Sequence, residues 1–279
     1  MSTQKQKAED FRRMHQAPPI LVLPNAWDAG SARIFASVGA RAIATSSAGV
    51  AFALGYPDGQ KISLRLMIES IARIAASVDL PVTADVESGY GAGVADATDT
   101  AQAVIDSGAI GLNFEDATND PASPLFPVDV QRRRLEAIRN AAERAGIPLV
   151  INARTDVFLG EVGEPSTRFA ETVRRVNAYR QSGADCLFIP GVTDAETIQR
   201  LAREVAGPIN ILVGPGAPPI SQLESMGVRR VSVGSQIMRA TLATARDAAR
   251  EILEKGTYHG FLDRTIPYDE LNQLMARRS

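Results

Sequence analysis

The sequence is poor in the side chains that carry most nucleophilic and acid–base chemistry. Its 279 residues include a single cysteine, Cys186, which excludes an internal disulfide and a multi-cysteine metal site. The two histidines, His15 and His259, lie outside every segment that reads as a strand, so neither a histidine-rich zinc site nor a strand-borne histidine base is expected. The lysines are Lys5, Lys7, Lys61 and Lys255, and none ends a strand, which removes a Schiff-base aldolase. No apolar run approaches the roughly 18 residues of a membrane span. The first twenty residues are polar and lack the apolar centre of a signal peptide. Net charge is −2, with nothing longer than the run Arg132-Arg133-Arg134 to suggest a nucleic-acid surface. The expectation is a soluble cytoplasmic protein.

What is present is alternation. Apolar runs rich in Val, Ile and Leu mark strands at Ile20–Leu23, Ala42–Thr45, Val82–Ala84, Ala109–Phe114, Leu149–Asn152, Cys186–Ile189, Ile209–Val213 and Arg230–Val233. Between them run amphipathic segments at Ala29–Val38, Leu64–Val78, Val94–Asp106, Val130–Arg144, Ser166–Ser182, Asp194–Val205, Ile220–Met226 and Ser235–Glu254. Their apolar residues recur three and four apart, as in Leu64, Ile68, Ile71 and Ala75. Glycine marks helix ends before new strands in SVGARAIA, RAGIPLVIN and SMGVRRVSV.

Eight strand–helix units predict a (β/α)8 TIM-type barrel formed by residues 1–279 as one domain. A doubly wound open sheet fits less well, because neither GxGxxG nor GxxxxGK[ST] follows the first strand. Residues 258–279 form a C-terminal tail with a helical pattern from Tyr268 to Arg277, expected to pack on, or be exchanged with, a neighbouring subunit.

In such barrels the chemistry gathers where strands end. Those positions are Asn25 and Asp28 after the first strand, Thr45-Ser46-Ser47-Ala48-Gly49 after the second, and Asp58 further along that loop. The third strand offers Asp85, Glu87, Ser88 and Tyr90; the fourth Asn113, Glu115 and Asp116; the fifth Asn152, Arg154, Thr155 and Asp156. Asp85 and Glu87 are two apart and would share one face of an extended strand, with Glu115 beside them on the next. Converging carboxylates repel one another. A hard divalent ion with oxygen ligands resolves this, and partly hydrated Mg2+ is the expected choice, with Mn2+ as the alternative. Arg154 is placed to clamp a substrate carboxylate, or else to pair with one of the same acids. Ser46, Ser47 and Ala48 read as a turn that could hold a second carboxylate or an enolate oxygen. Cys186 reads as a small buried hydrophobe.

The stretches LPNAWDAGSAR, TSSAGVAFALGYPDGQ, TADVESGYG, LNFEDA and INARTDVFL, in this order at strand ends, resemble the isocitrate lyase/phosphoenolpyruvate mutase superfamily over roughly the first 160 residues. The resemblance implies Mg2+ near Asp85, Glu87 and Glu115, with Asp58 contributing directly or through water. It also implies a 2-oxo acid or enolpyruvate moiety held by Arg154 and the Ser46-Ser47 turn, and tetramers or dimers that exchange the last helix.

Departures narrow the reading. The loop after the fourth strand reads ATNDPASPLFPVD where the superfamily's isocitrate and methylisocitrate lyases carry KKCGH. FIPGV stands where those lyases place a glutamate, and no lysine follows Glu115-Asp116 as in phosphonate-processing members. The expected activity is a Mg2+-dependent carbon–carbon lyase forming a pyruvate enolate, foremost an oxaloacetate-type decarboxylase. Tyr90, Asp116 and a water stand as alternative proton donors. Phosphorus–carbon chemistry on phosphonopyruvate or a carboxyphosphonate, a methylisocitrate lyase-like reaction, and a metabolite-binding barrel without catalysis are the other readings.

Overall fold

The computed structural model describes residues 2–276. Every strand pairing in it is parallel, in the order β1-β9-β8-β7-β6-β5-β4-β3-β2. The strands are β1 (Leu21–Leu23), β2 (Asn25–Ala26), β3 (Ile43–Thr45), β4 (Val82–Asp85), β5 (Gly111–Glu115), β6 (Val150–Arg154), β7 (Cys186–Ile189), β8 (Ile209–Leu212) and β9 (Arg230–Ser232). β1 and β2 are halves of one stave separated by Pro24, which has no N–H to give a ladder. One half pairs with β9 and the other with β3, so the sheet closes on itself as a (β/α)8 barrel. The Asn25 side chain clasps this seam: Oδ1 accepts from Val233 and Gly234 N–H at 2.9 and 3.0 Å, and Nδ2 donates to the Thr45 carbonyl at 2.8 Å.

Helices α2 (Ala29–Ser37), α4 (Leu64–Ser77), α5 (Val94–Asp106), α6 (Val128–Arg144), α7 (Pro165–Gln181), α8 (Ala195–Glu204) and α9 (Ile220–Ser225) alternate with the strands. Within the barrel, two further helices were not expected from the sequence: α1 (Gln4–Met14) and α3 (Ser47–Ala53). α1 covers the barrel floor, where Ala8 and Phe11 pack on Leu21, Leu23, Ile110 and Val150. Its Gln4 amide ties it to the Ile105 and Ala109 carbonyls at 2.7 and 2.9 Å. The larger core lies between strands and outer helices, with Met67, Ile71, Leu135, Ile138, Val176 and Leu201 fully buried.

After β9 the pattern changes. α10 (Gln236–Arg250) buries only Met238 and runs into a π-helical turn at Glu251–Lys255. α11 (His259–Leu262) and α12 (Tyr268–Ala276) follow, and α12 returns to α2, where the Arg33 guanidinium donates to the Leu274 carbonyl at 3.2 Å. Of the helical pattern expected for the tail, Arg277 lies outside the described residues. No helix among the described residues is long and apolar enough to cross a membrane.

Candidate active site

The acidic positions singled out above fall at the ends of β4 and β5, and Arg154 ends β6. Asp85 closes β4 and is almost fully buried. Its N–H donates to Thr45 Oγ1 at 2.8 Å, and its Oδ2 accepts from the Ser47 N–H and hydroxyl at 2.9 and 2.8 Å. The expected Ser46–Ala48 turn is instead the start of α3. Ser46 caps that helix, its Oγ accepting from the Gly49 N–H at 3.1 Å, and Ser47 is spent on Asp85. Small residues that sequence reasoning assigns to a turn serve equally to begin a short helix.

Glu87 does not stand on the strand beside Asp85. Its φ is +51°, and Gly89 and Tyr90 are also left-handed at +87° and +57°. A tight turn, not the pleat, therefore aims Glu87, and two non-glycine departures of this kind within four residues, at Glu87 and Tyr90, store backbone strain at the barrel mouth. The turn is held from outside. Arg134, fully buried, stacks on Phe114 and Phe126 and donates to the Ser88 and Gly91 carbonyls. Thr100 Oγ1 donates to the Gly89 carbonyl at 2.9 Å. A side chain at position 89 would strike the Phe114 ring.

The carboxylates sense one another. Burial first, then the charges of Asp85 and Asp58, pushes the Glu87 carboxyl up to about 8. Asp58 lies on an exposed loop, yet loss of hydration around its carboxyl raises it; the Gly59 N–H opposes this and Asp85 adds to it. Burial raises Glu115 against the pull of Arg154, with Asp156, Asp85 and Glu87 adding to the rise. The Tyr90 hydroxyl is buried and has no hydrogen-bond partner. Burial and then Glu87, Asp85, Asp58 and Glu115 hold its proton far above the ordinary phenol range.

Arg154 is already engaged. Its Nη1 reaches Glu115 Oε2 at 2.8 Å, and Asp156 takes Nε at 2.5 Å and Nη2 at 2.8 Å. Burial works against the guanidinium's charge, and Glu115 and Asp156 more than offset it. Pairing with the site's own acids, one of the two alternatives open for Arg154 in the sequence, is thus present. Among the described residues no three His, Cys, Asp or Glu side chains are gathered closely enough to form a ready metal cage. The carboxylates instead lie near enough to act on one another's charge, with Glu115 partly compensated by Arg154.

Asp116 is fully buried and faces a network of its own. It accepts from Tyr179 Oη at 2.6 Å, Thr155 Oγ1 at 2.7 Å, the Asp156 N–H at 3.0 Å and Arg175 Nη1 at 3.1 Å. Asp28 caps α2 in a reciprocal box with Ser31, and Asn25 holds the barrel seam, so both have structural work at the mouth. Cys186 is fully buried in β7, and burial pushes its thiol up to about 12, which keeps it protonated and unreactive. Sequence reasoning missed Arg134, Arg175 and Tyr179, which lie on helices, and Arg230, which lies inside the barrel; only their polarity within otherwise apolar stripes marks them.

Fold and mouth together define a (β/α)8 barrel with an acidic, arginine-bearing site at its strand ends. The chain belongs to the phosphoenolpyruvate phosphomutase family, whose model matches residues 11–253, within the isocitrate lyase/phosphoenolpyruvate mutase superfamily. An uncharacterized protein of Mycobacterium tuberculosis is 33% identical over 262 residues, covering 94% of each chain. A 2-methylisocitrate lyase of Bacillus subtilis is 27% identical, covering 75% of this chain and 67% of that one. An oxaloacetate decarboxylase of Pseudomonas fluorescens is also 27% identical, covering 86% and 82%. Among solved structures, a provisional lyase/mutase from Burkholderia cenocepacia superposes with a TM-score of 0.92 at 36% identity, covering 98% and 97%. A 2,3-dimethylmalate lyase does so at 0.85 and 28%, covering 99% and 95%.

Proposed function

We propose that this chain is a Mg2+-dependent carbon–carbon lyase acting on a small 2-oxo or 2-hydroxy carboxylic acid through the enolate of pyruvate, foremost as an oxaloacetate-type decarboxylase. The observation that carries the reading is the charge balance at the mouth. Asp58, Asp85, Glu87 and Glu115 act on one another, and the cation acting on Asp58, Glu87 and Glu115 is Arg154, itself shared with Asp156. Acidic side chains that act on one another's charge, without closing into a cage among the described residues, suit an ion that keeps several waters and takes one or two carboxylates directly. Asp85, Glu87 and Glu115 would hold Mg2+ or Mn2+, with Asp58 contributing directly or through water. When bound, the ion supplies Lewis-acid stabilisation of the charge that develops on the 2-oxo oxygen.

The chain's own residues do the rest. A guanidinium has five N–H donors; three are used by Glu115 and Asp156, which leaves two on the terminal nitrogens for a substrate carboxylate. Ser46, Ser47 and Ala48, opening α3 against Asp85, form the wall that receives the other end of the substrate. Loss of CO2 breaks the bond between C3 and the departing carboxylate, and its electron pair becomes the enolate. No protein base is needed to begin, in keeping with a mouth lined by acids and an arginine. A proton must then reach C3. Tyr90 fits this step better than Asp116, because its hydroxyl is unpartnered while the Asp116 carboxylate already accepts four bonds.

A product assay with oxaloacetate, phosphonopyruvate and methylisocitrate, each with and without Mg2+, tests the reading. Carbon dioxide and pyruvate from oxaloacetate alone are expected. Turnover of phosphonopyruvate would favour a phosphorus–carbon mutase or hydrolase, for which Arg154 is the available strand-end cation. Cleavage of methylisocitrate would favour the activity of the B. subtilis relative, and tight binding without product would leave a metabolite-binding barrel.

The same reading includes a cytoplasmic homo-oligomer, a tetramer or dimer. α10 and the segments beyond it leave Leu242, Ile252, Leu253, Tyr258, Leu262 and Tyr268 exposed. A second subunit receiving this arm would cover them.

A further inference from the structure

Below the carboxylates, the barrel interior holds several polar side chains where branched apolar residues usually fill such a core, and three of them form one chain of contacts. Asn113 on β5, Asn152 on β6 and Arg230 on β9 are buried, the last two completely. Arg230 has no ion-pair partner within 4.0 Å among the described residues, although an unpaired buried charge is among the costlier features a core can carry. Its guanidinium sits above Phe11 of α1, 5.8 Å from the ring centroid, and its Nη2 donates to Asn113 Oδ1 at 3.1 Å.

Asn113 is held in one orientation. Its Oδ1 accepts from Arg230 Nη2 and also from Asn152 Nδ2 at 2.7 Å. With the acceptor end fixed by two donors, the amide can present only its N–H end in the opposite direction. That end faces Asp85 Oδ1 at 3.4 Å, on the residue paired with Asn113 across the β4–β5 ladder. Asp85 Oδ2 is meanwhile fixed by Ser47. Both carboxylate oxygens therefore have assigned neighbours, one from α3 and one from β5. Apart from the Cys186 thiol, Asp85 is the acidic group whose charge acts on Arg230.

We propose that Arg230 and Asn113 form a positioning relay that rises from the barrel floor and sets the orientation of Asp85 for divalent-cation binding. Arg230 touches neither substrate nor ion in this arrangement; it acts through Asn113. The proposal rests on the reading of Asp85 as a metal ligand, and it differs in sign from a plain charge effect. Removing a nearby cation would by Coulomb's law strengthen the binding of a dication. Removing an orienting partner weakens it, by about tenfold or more for residues that hold a metal ligand in place.

The test is calorimetric titration of the intact protein with Mg2+ alone, without substrate, for wild type, Arg230→Met, Asn113→Leu, the double variant and Asp85→Ala. The relay predicts that Arg230→Met and Asn113→Leu each weaken Mg2+ binding about tenfold. The double variant should be no weaker than the poorer single one, since the two residues act as one chain. Far-UV circular dichroism establishes folding; if Arg230→Met does not fold, Asn113→Leu carries the same expectation. Unchanged or tighter Mg2+ binding in the folded variants, with binding lost in Asp85→Ala, overturns the relay and leaves the metal site standing. A wild-type protein that binds no divalent cation overturns the metal reading, and the relay with it.

Discussion

Asp156 grips Arg154 side-on, with Oδ1 on Nε at 2.5 Å and Oδ2 on Nη2 at 2.8 Å, so that the guanidinium meets Glu115 in one fixed rotation. Asp156 is itself held, its N–H donating to the buried Asp116. Asp156→Asn keeps the shape and removes the charge of the clamp. Substrate KM should rise about tenfold, in line with the loss of one charge-assisted hydrogen bond, while kcat falls less. Steady-state kinetics on the substrate found in the product assay measure the split.

Asp116 anchors Tyr179 and Arg175 of α7 to the end of β5. Asp116→Ala removes the acceptor of the buried Tyr179 phenol and leaves Arg175 with Glu171 and the Phe126 carbonyl, and the loss of a buried charged partner costs about 3 kcal/mol. Urea unfolding should show a midpoint well below wild type with the slope unchanged. A midpoint equal to wild type would mean that Asp116 does not hold α7.

His15 ends the helix that covers the barrel floor. It is buried against Phe11, its Nδ1 2.8 Å from the Phe11 carbonyl. Burial, with Arg230 nearby, lowers its pKa to about 3. Folded His15 is therefore neutral at pH values where the unfolded chain, near 6.5 for histidine, takes up a proton. The unfolded state binds more protons below that pH, so stability is intact above about 6.5 and falls as pH drops toward 3, by up to about 1.4 kcal/mol per pH unit. His15→Gln should flatten this acid-side slope in melting curves recorded across that range. An identical slope in the variant would assign it to other groups.

The eight strand positions were legible in the sequence because each is a short run of β-branched and aliphatic residues between glycine-capped helices. Cys186–Ile189 and Val94–Asp106 match the expected bounds, and the other strands differ by a residue or two at their ends. The first stave splits at Pro24, a break visible in the sequence only as one proline. α1 escaped notice because it is mostly charged and offers only Ala8 and Phe11 to the barrel, too few for a stripe. The acidic residues could be placed at the mouth from strand order alone. Their mutual geometry could not, since Glu87 is aimed by a left-handed turn and Arg154 by an acid two residues on. Long-range partners such as Tyr179 for Asp116, sixty-three residues apart, leave no local signal.

The arm beyond β9 leaves Leu253 and Tyr268 83% and 81% exposed, apolar surface whose removal from water by a second subunit would be favourable. Leu253→Glu together with Leu242→Glu should shift the protein toward the monomer, read by size-exclusion chromatography with light scattering. The barrel's circular dichroism should persist. A wild-type monomer at all concentrations would contradict the proposed exchange of the arm.

Asp85 is the hinge of the whole reading, since it is the acid that Ser47 of α3 and Asn113 of β5 both contact. Titration with Mg2+ of wild type and Asp85→Ala, paired with the oxaloacetate assay, tests it most directly. The expected result is measurable Mg2+ binding and Mg2+-dependent release of CO2 in wild type, and neither in a folded Asp85→Ala protein. Full Mg2+-dependent activity in that variant would contradict the assignment of the metal to these carboxylates.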